Sequence, residues 1–315
     1  MPPPLYTQTV IAFIWDFDKT LTWDYMQQPL FDAYGIDSQT FWREVNGLVE
    51  HYRDRGLIVS KDTAYLGHIL SYTADGQPFA GLTNERLREL GARITLAPGM
   101  PDFMERTRQF VKDDATYAKH DITVEHYIVS TGLRQMIAGT ALAKVVDAYW
   151  ASELLPDPPM AGYLEGQERL DVNGVLTQVG YTIDNTSKTR VLFEINKGVN
   201  HDPQVDVNSQ MAEEQRRIPF KNMIYIADGP SDVPVFSVVN KFGGKTLGVW
   251  TDNNFDGVMT LQEQGRIGGA FEADYSEGQP ADRWLMRALK QLADEIVEAR
   301  ARAFSQIPGA PGHVV

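Results

Sequence analysis

Five apolar residues, Ile11-Ala12-Phe13-Ile14-Trp15, run straight into Asp16-Phe17-Asp18-Lys19-Thr20, and so abrupt a change predicts a buried strand that stops at a polar edge. A strand's period of two puts Asp16 and Asp18 on the same face. From residue 24 the period lengthens. Phe41, Val45, Leu48 and Val49 fall on one helical face and Tyr65, His68, Ile69 and Tyr72 on another, so residues 24–95 read as a helical insert. Within it the Gly/Pro cluster at 73–82 is a turn, and Thr83-Asn84-Glu85 starts a further helix.

The strand pattern resumes after Ala97-Pro98-Gly99-Met100-Pro101 and a helix over 102–112. β-rich stretches at 122–129, 145–150, 223–227 and 246–250 alternate with helical ones at 133–142, 188–196 and 281–304, which predicts an α/β fold around a parallel sheet. Residues 113–121 read as a polar connection. The stretch 163–183 reads as a β-hairpin or small β-excursion turning at Asn173-Gly174, and the Pro/Gly tail beyond 304 is expected to fray.

A chain of 315 residues buries a substantial core and suggests about two compact units. Asp and Glu outnumber Lys and Arg by 42 to 29, a net charge of −13 that repels nucleic acid and anionic membranes. An anionic substrate is repelled as well, so any phosphate site must rely on local cations. With no cysteine, thiolate nucleophiles, disulfides and cysteine-ligated zinc drop out. No stretch approaches the roughly 18 to 20 apolar residues that span a bilayer. Met1-Pro2-Pro3-Pro4 lacks the basic-then-apolar character of a secretory signal, so a soluble, cytoplasmic protein is the expectation.

Strand ends of one sense line one edge of a parallel sheet, where ligands bind in open α/β folds. That edge would bring together Asp16 and Asp18, Ser130-Thr131-Gly132, and Asp228 with Asp232, distant as they are in sequence. Two carboxylates on one strand face oppose joint ionisation and call for a metal, a shared proton or a cationic neighbour. Asp16, Asp228 and Asp232, with Gly229 permitting a tight turn between the last two, would offer the oxygen ligands that suit Mg²⁺. The Ser130 hydroxyl and the amides around Thr131 and Gly132, at a helix start, can donate to phosphate oxygens. Lys188 opens a helix, where the dipole disfavours a cation unless an anion compensates; Lys144 and Lys197 compete for its role.

In these four segments, Asp16 to Thr20, Ser130, Lys188, and Asp228 to Asp232, the chain resembles the haloacid-dehalogenase-like hydrolase superfamily, in particular its phosphoserine-phosphatase-like members. The resemblance implies a Rossmann-like core formed by residues 1–23 and 96–315, with a β-hairpin excursion at about 156–187, and a helical C1 cap at 24–95. It further implies a Mg²⁺-dependent phosphatase for a small phosphorylated metabolite, with Asp16 as nucleophile and Asp18 as acid and base. Asp16, Asp18 through its backbone carbonyl, and Asp228 would hold the metal, with Asp232 direct or through water. Lys188 and Ser130, with Thr131 and Gly132, would hold the phosphate. Ala227 stands where family members often have Gly. A phosphomutase or phosphotransferase, or a non-catalytic metal- or phosphate-binding protein, would use the same residues. Substrate choice is expected to lie in the cap, among Arg43, His51, Arg53, Arg55, Lys61 and His68 and the aromatic Trp23, Tyr25, Trp42, Tyr65 and Tyr72.

Overall fold

The computed structural model describes residues 8–305 apart from 160, 165–170, 203 and 252–253. Strand β1 (Val10–Trp15) leads into four helices, α1 (Gln28–Tyr34), α2 (Ser38–Arg53), α3 (Lys61–Ser71) and α4 (Asn84–Gly91), then α5 (Asp102–Asp113) and the short α6 (Ala115–Lys119). There follow β2 (Thr123–Leu133), α7 (Arg134–Gly139), β3 (Ala148–Leu155), β4 (Gln178–Tyr181) and α8 (Asn185–Lys197). The chain closes with β5 (Met223–Ala227), α9 (Val233–Lys241), β6 (Lys245–Trp250), α10 (Phe255–Glu263), β7 (Ala270–Glu272) and α11 (Pro280–Ser305). Among these elements no helix is long and apolar enough to cross a membrane.

The strands form one sheet in the order β4-β3-β2-β1-β5-β6-β7, parallel throughout except for the β3–β4 pair. Strand periodicity divides the core. Ile11, Phe13 and Trp15 of β1 face one apolar layer with α5 and α11, while Ala12 and Ile14 face another with α8 and α9. This is the α/β architecture expected, with helices on both faces and a helical insert after the first strand.

Local sequence caps three of the insert helices, the last of them at the Thr83 start that the pattern predicts. Asp37, Ser60 and Thr83 each accept a backbone N–H from Thr40, Thr63 and Arg86, satisfying donors that have no partner within the helix. The insert leaves and rejoins the core through a short bridge, Trp23 N–H to Thr95 and Ala97 N–H to Leu21. Its last helix is docked on the core: a Cβ on Gly91 would lie 2.0 Å from the Met136 carbonyl, and one on Gly139 1.9 Å from that of Arg88. Only glycine lets α4 and α7 approach so closely.

Several boundaries differ from expectation. The polar connection at 113–121 contains α6, because Asp114 caps it through the N–H groups of Thr116 and Tyr117. β3 begins at Ala148 rather than 145, since Val145 and Val146 donate to Leu142 in a turn. Of the hairpin or small β-excursion expected within 163–183, the described residues hold one strand, β4, which pairs with β3 and extends the core sheet. A turn does form there, from Gly174 N–H to Asp171, but 165–170 lie outside the described residues. The end of this excursion reaches the insert, where Leu176 donates its N–H to Leu82 and accepts from the Thr73 hydroxyl at 2.9 Å.

One buried polar chain underpins β1. Trp15 Nε1 donates to His126 Nδ1 at 3.1 Å, His126 Nε2 meets Thr107 Oγ1 at 2.8 Å, and the Thr107 hydroxyl donates to the Met104 carbonyl at 2.7 Å. Indole can only donate, so Nδ1 accepts and Nε2 carries the proton. A second proton would set two donors against each other. Burial, with the charge of Arg108, holds His126 well below the usual histidine range. An unfolded histidine titrates near about 6.5, so stability is complete above that pH and falls as protons bind the unfolded chain below it, by up to about 1.4 kcal/mol per pH unit. Urea unfolding from about pH 7.5 to 5.5 should therefore show a steeper loss for the native chain than for His126→Gln; parallel curves would refute this.

Candidate active site

The β1 ladder continues one residue past the strand, with Asp16 N–H donating to the Ile226 carbonyl at 2.9 Å. Phe17 turns into the core, fully buried, and the chain folds over its carbonyl, which accepts the N–H of Leu21 at 2.9 Å. Lys19 takes the left-handed conformation at φ 56°, with its N–H on Thr22 Oγ1. The Thr22 hydroxyl in turn donates to the Asp24 carbonyl at 2.6 Å. Asp18 is held by the Met26 N–H at 2.8 Å.

Lys188 lies in the first turn of α8, which Asp184 and Ser187 close as a capping box. Its side chain is 1% exposed, and Nζ donates to Asp16 Oδ1 and Asp232 Oδ1, both at 2.7 Å. These anions supply the compensation its position requires. Lys197 instead donates to the Val207 and Ser209 carbonyls, and Lys144 closes a 3-10 turn at 141–144. Asp232 also accepts the Tyr225 hydroxyl and, at 2.7 Å, that of Ser231. Asp228 accepts Asn254 Nδ2 on both its backbone carbonyl, at 2.8 Å, and its carboxylate, at 3.3 Å. Gly229 is extended, at φ −176°; the turn is made by the 3-10 segment Pro230–Asp232.

Carboxylate oxygens of Asp16, Asp228 and Asp232 lie within 4.8 Å of one another. Asp18's carboxylate stands outside this trio and borders the cavity. Burial pushes Asp16 up to about 6, although Lys188 pulls it down. Burial and then the Asp16 charge push Asp18 up to about 7. Asp228 is driven well above the carboxylate range by burial, Asp16 and Asp232. For Lys188, burial alone would lower the value, but Asp16 and Asp232 raise it. One ammonium against three clustered carboxylates leaves the site negative. The all-oxygen donor set fits a hard divalent cation such as Mg²⁺.

Ser130, Thr131 and Gly132 do not open a helix. β2 continues through Leu133, with an irregularity in its pairing to β3 between Val129 and Leu133, and Ser152 Oγ donates to the Thr131 carbonyl at 3.0 Å. In this bulge the Gly132 N–H donates to Ser130 Oγ at 3.0 Å and the Leu133 N–H to Met26 Sδ at 3.0 Å. A Cβ on Gly132 would lie 2.3 Å from Met26 Cε, so a larger residue there would displace the end of the Met26 side chain.

Asp18, Thr131, Gly132 and Ser231 border a cavity of about 560 Å³ that reaches up to the insert. Of the specificity candidates, Tyr25, Trp42, Lys61 and Tyr65 line it. His68 and Tyr72 instead bond Glu44, and Arg55 donates to the His51 carbonyl. Sequence reasoning missed Asn254, Tyr225, Met26 and Gln27. None of them belongs to a motif, and Tyr225 reads as one more apolar strand position. An Asn just ahead of the α10 pattern was the only available signal for Asn254.

No protein-family model matches the chain. An uncharacterized protein of Borreliella burgdorferi is 38% identical over 286 residues, covering 90% of this chain and 97% of that one. Among solved structures, an apo phosphoserine phosphatase superimposes with a TM-score of 0.51 at 14% identity, covering 85% of this chain and 96% of that one. A HAD family hydrolase from Salmonella enterica serovar Typhi gives 0.50 at 14% identity, covering 86% and 69%. At these identities the likeness to the solved structures is one of fold.

Proposed function

For a chain that belongs to one family with the Borreliella burgdorferi protein and has the fold of the haloacid-dehalogenase-like, phosphoserine-phosphatase-like hydrolases, we propose the activity of a Mg²⁺-dependent phosphatase that hydrolyses a small phosphomonoester through an aspartyl-phosphate. The observation that carries this reading is the buried Lys188 ammonium fixed between Asp16 and Asp232, with Asp228 beside them and Asp18 at the cavity wall.

In this reading Asp16 attacks phosphorus, and the bond to the ester oxygen breaks. Asp18 passes its proton to the departing alkoxide, then takes one from the water that attacks the aspartyl-phosphate, releasing inorganic phosphate and restoring Asp16. A carboxyl raised to about 7 suits this exchange, because both protonation states are accessible near neutral pH. Lys188 orients Asp16 and offsets charge on the transferring group. Ser130, whose oxygen accepts the Gly132 N–H, keeps its own hydroxyl proton to donate to a phosphate oxygen. Asp16 and Asp228 would hold Mg²⁺, with Asp232, already bonded to Lys188, Tyr225 and Ser231, through water; the ion would supply charge neutralisation.

Incubated with Mg²⁺ and a broad phosphomonoester panel, the purified chain should release inorganic phosphate, and a chelator should stop it. Absence of release across the panel would overturn the proposal, and acceptor-dependent transfer exceeding hydrolysis would replace it with a phosphotransferase.

A further inference from the structure

Three aromatic side chains, Tyr25, Trp42 and Tyr65, line the cavity beyond Asp18. Trp42 stacks on Tyr65, with centroids 5.4 Å apart and planes at 25°, and Tyr25 leans on Trp42 at 5.5 Å. Lys19 Nζ lies 4.1 Å over the Tyr25 ring, a cation–π contact that helps fix it. Gln27, only 2% exposed, also lines the cavity; its Nε2 bonds the Tyr65 hydroxyl at 2.6 Å, while its Oε1 has no partner among the described residues. A buried acceptor without a donor is unfavourable until something supplies one.

The charged residues lining the cavity are Asp18, Lys61 and Asp62, so beyond the catalytic carboxylate one cation and one anion cancel. A second anionic group on the substrate would meet no net positive charge there. At about 560 Å³ the cavity also lies in the middle of the ~300–1,000 Å³ range that holds drug-sized ligands, well beyond a phosphate on a short alcohol.

From this juxtaposition, and resting on the phosphatase reading above, we propose that the ester's alcohol half is an uncharged flat ring bearing an N–H or O–H donor. The ring lies against the Trp42–Tyr65 stack and the donor reaches Gln27 Oε1. Aromatic faces stack on any flat ring, whereas an unpaired buried acceptor discriminates for a donor, so the two features read different parts of one substrate.

The test compares kcat/KM with Mg²⁺ for uridine 5′-monophosphate (ring with donor), p-nitrophenyl phosphate (ring without donor), and glycerol 3-phosphate and O-phosphoserine (no ring). The expected order is ring with donor, ring without donor, no ring, each step about tenfold or more. Trp42→Ala should lower the ratio of ring-bearing to ring-free kcat/KM about tenfold, with Trp42→Phe restoring most of it, and Gln27→Met should lower the ratio of the first substrate to the second. The Gln27 variant keeps the outcome readable if Trp42→Ala fails to fold. Hydrolysis that favours O-phosphoserine, or ratios unmoved by both variants, would overturn this inference and leave the phosphatase reading standing. No hydrolysis of any ester would remove both.

Discussion

Asp16→Asn is expected to abolish turnover, lowering the rate at least about a thousandfold, as loss of a covalent nucleophile does elsewhere. The change keeps the side chain's shape and its capacity to accept from Lys188 Nζ, which now lies 2.7 Å from Oδ1. What it removes is a negative charge and a nucleophilic oxygen. The same substitution should leave the metal-free protein as stable as the parent or more so. Three clustered carboxylates face a single buried ammonium, and deleting one relieves repulsion while Asp232 still pairs Lys188. Phosphate release and thermal unfolding in chelator, measured on one preparation, check both halves. An active Asp16→Asn chain would end the covalent reading. An inactive one that is strongly destabilised would show that Asp16 is held for structure instead.

That combination explains which parts of the site could be read from sequence. Asp16 is legible because Ile11 to Trp15 is apolar enough to demand a strand that stops at a polar edge, whereas Asp18 lies in the turn beyond the strand, where a period of two no longer fixes the face. Lys188 is legible by a different route, as a cation where a helix dipole repels it. The same reasoning fails at Ser130 to Gly132. Small polar residues after an apolar run suit a helix start and a bulge equally, and the hydroxyl of Ser152, contributed by a neighbouring strand, decides between them. The partner of β4 is hidden for a related reason: local turn chemistry at Asp171 to Gly174 is real, but the strand that β4 pairs with is β3, which no local pattern names. Asn254 and Gln27 act through long-range hydrogen bonds from their side-chain amides, to Asp228 and Tyr65. Such bonds leave no periodicity behind them.

Lys188→Met tests the electrostatic centre from the opposite side. Methionine matches the stem's length and fits an apolar path, so packing is largely kept. Asp16 and Asp232, however, lose the ammonium that each now meets at 2.7 Å. Removing one partner from a buried ionic network leaves the others uncompensated, at about 3–5 kcal/mol. We expect a loss of stability of that order in chelator, together with loss of turnover. If uncompensated charge is the cause, Asp16→Asn should recover part of the stability when combined with Lys188→Met, because it removes one of the stranded carboxylates. The two residues would then be coupled by more than about 1 kcal/mol in a double-mutant cycle measured by urea unfolding. A Lys188→Met chain as stable as its parent, or a cycle whose terms simply add, would mean that the lysine is not what allows these carboxylates to be buried together.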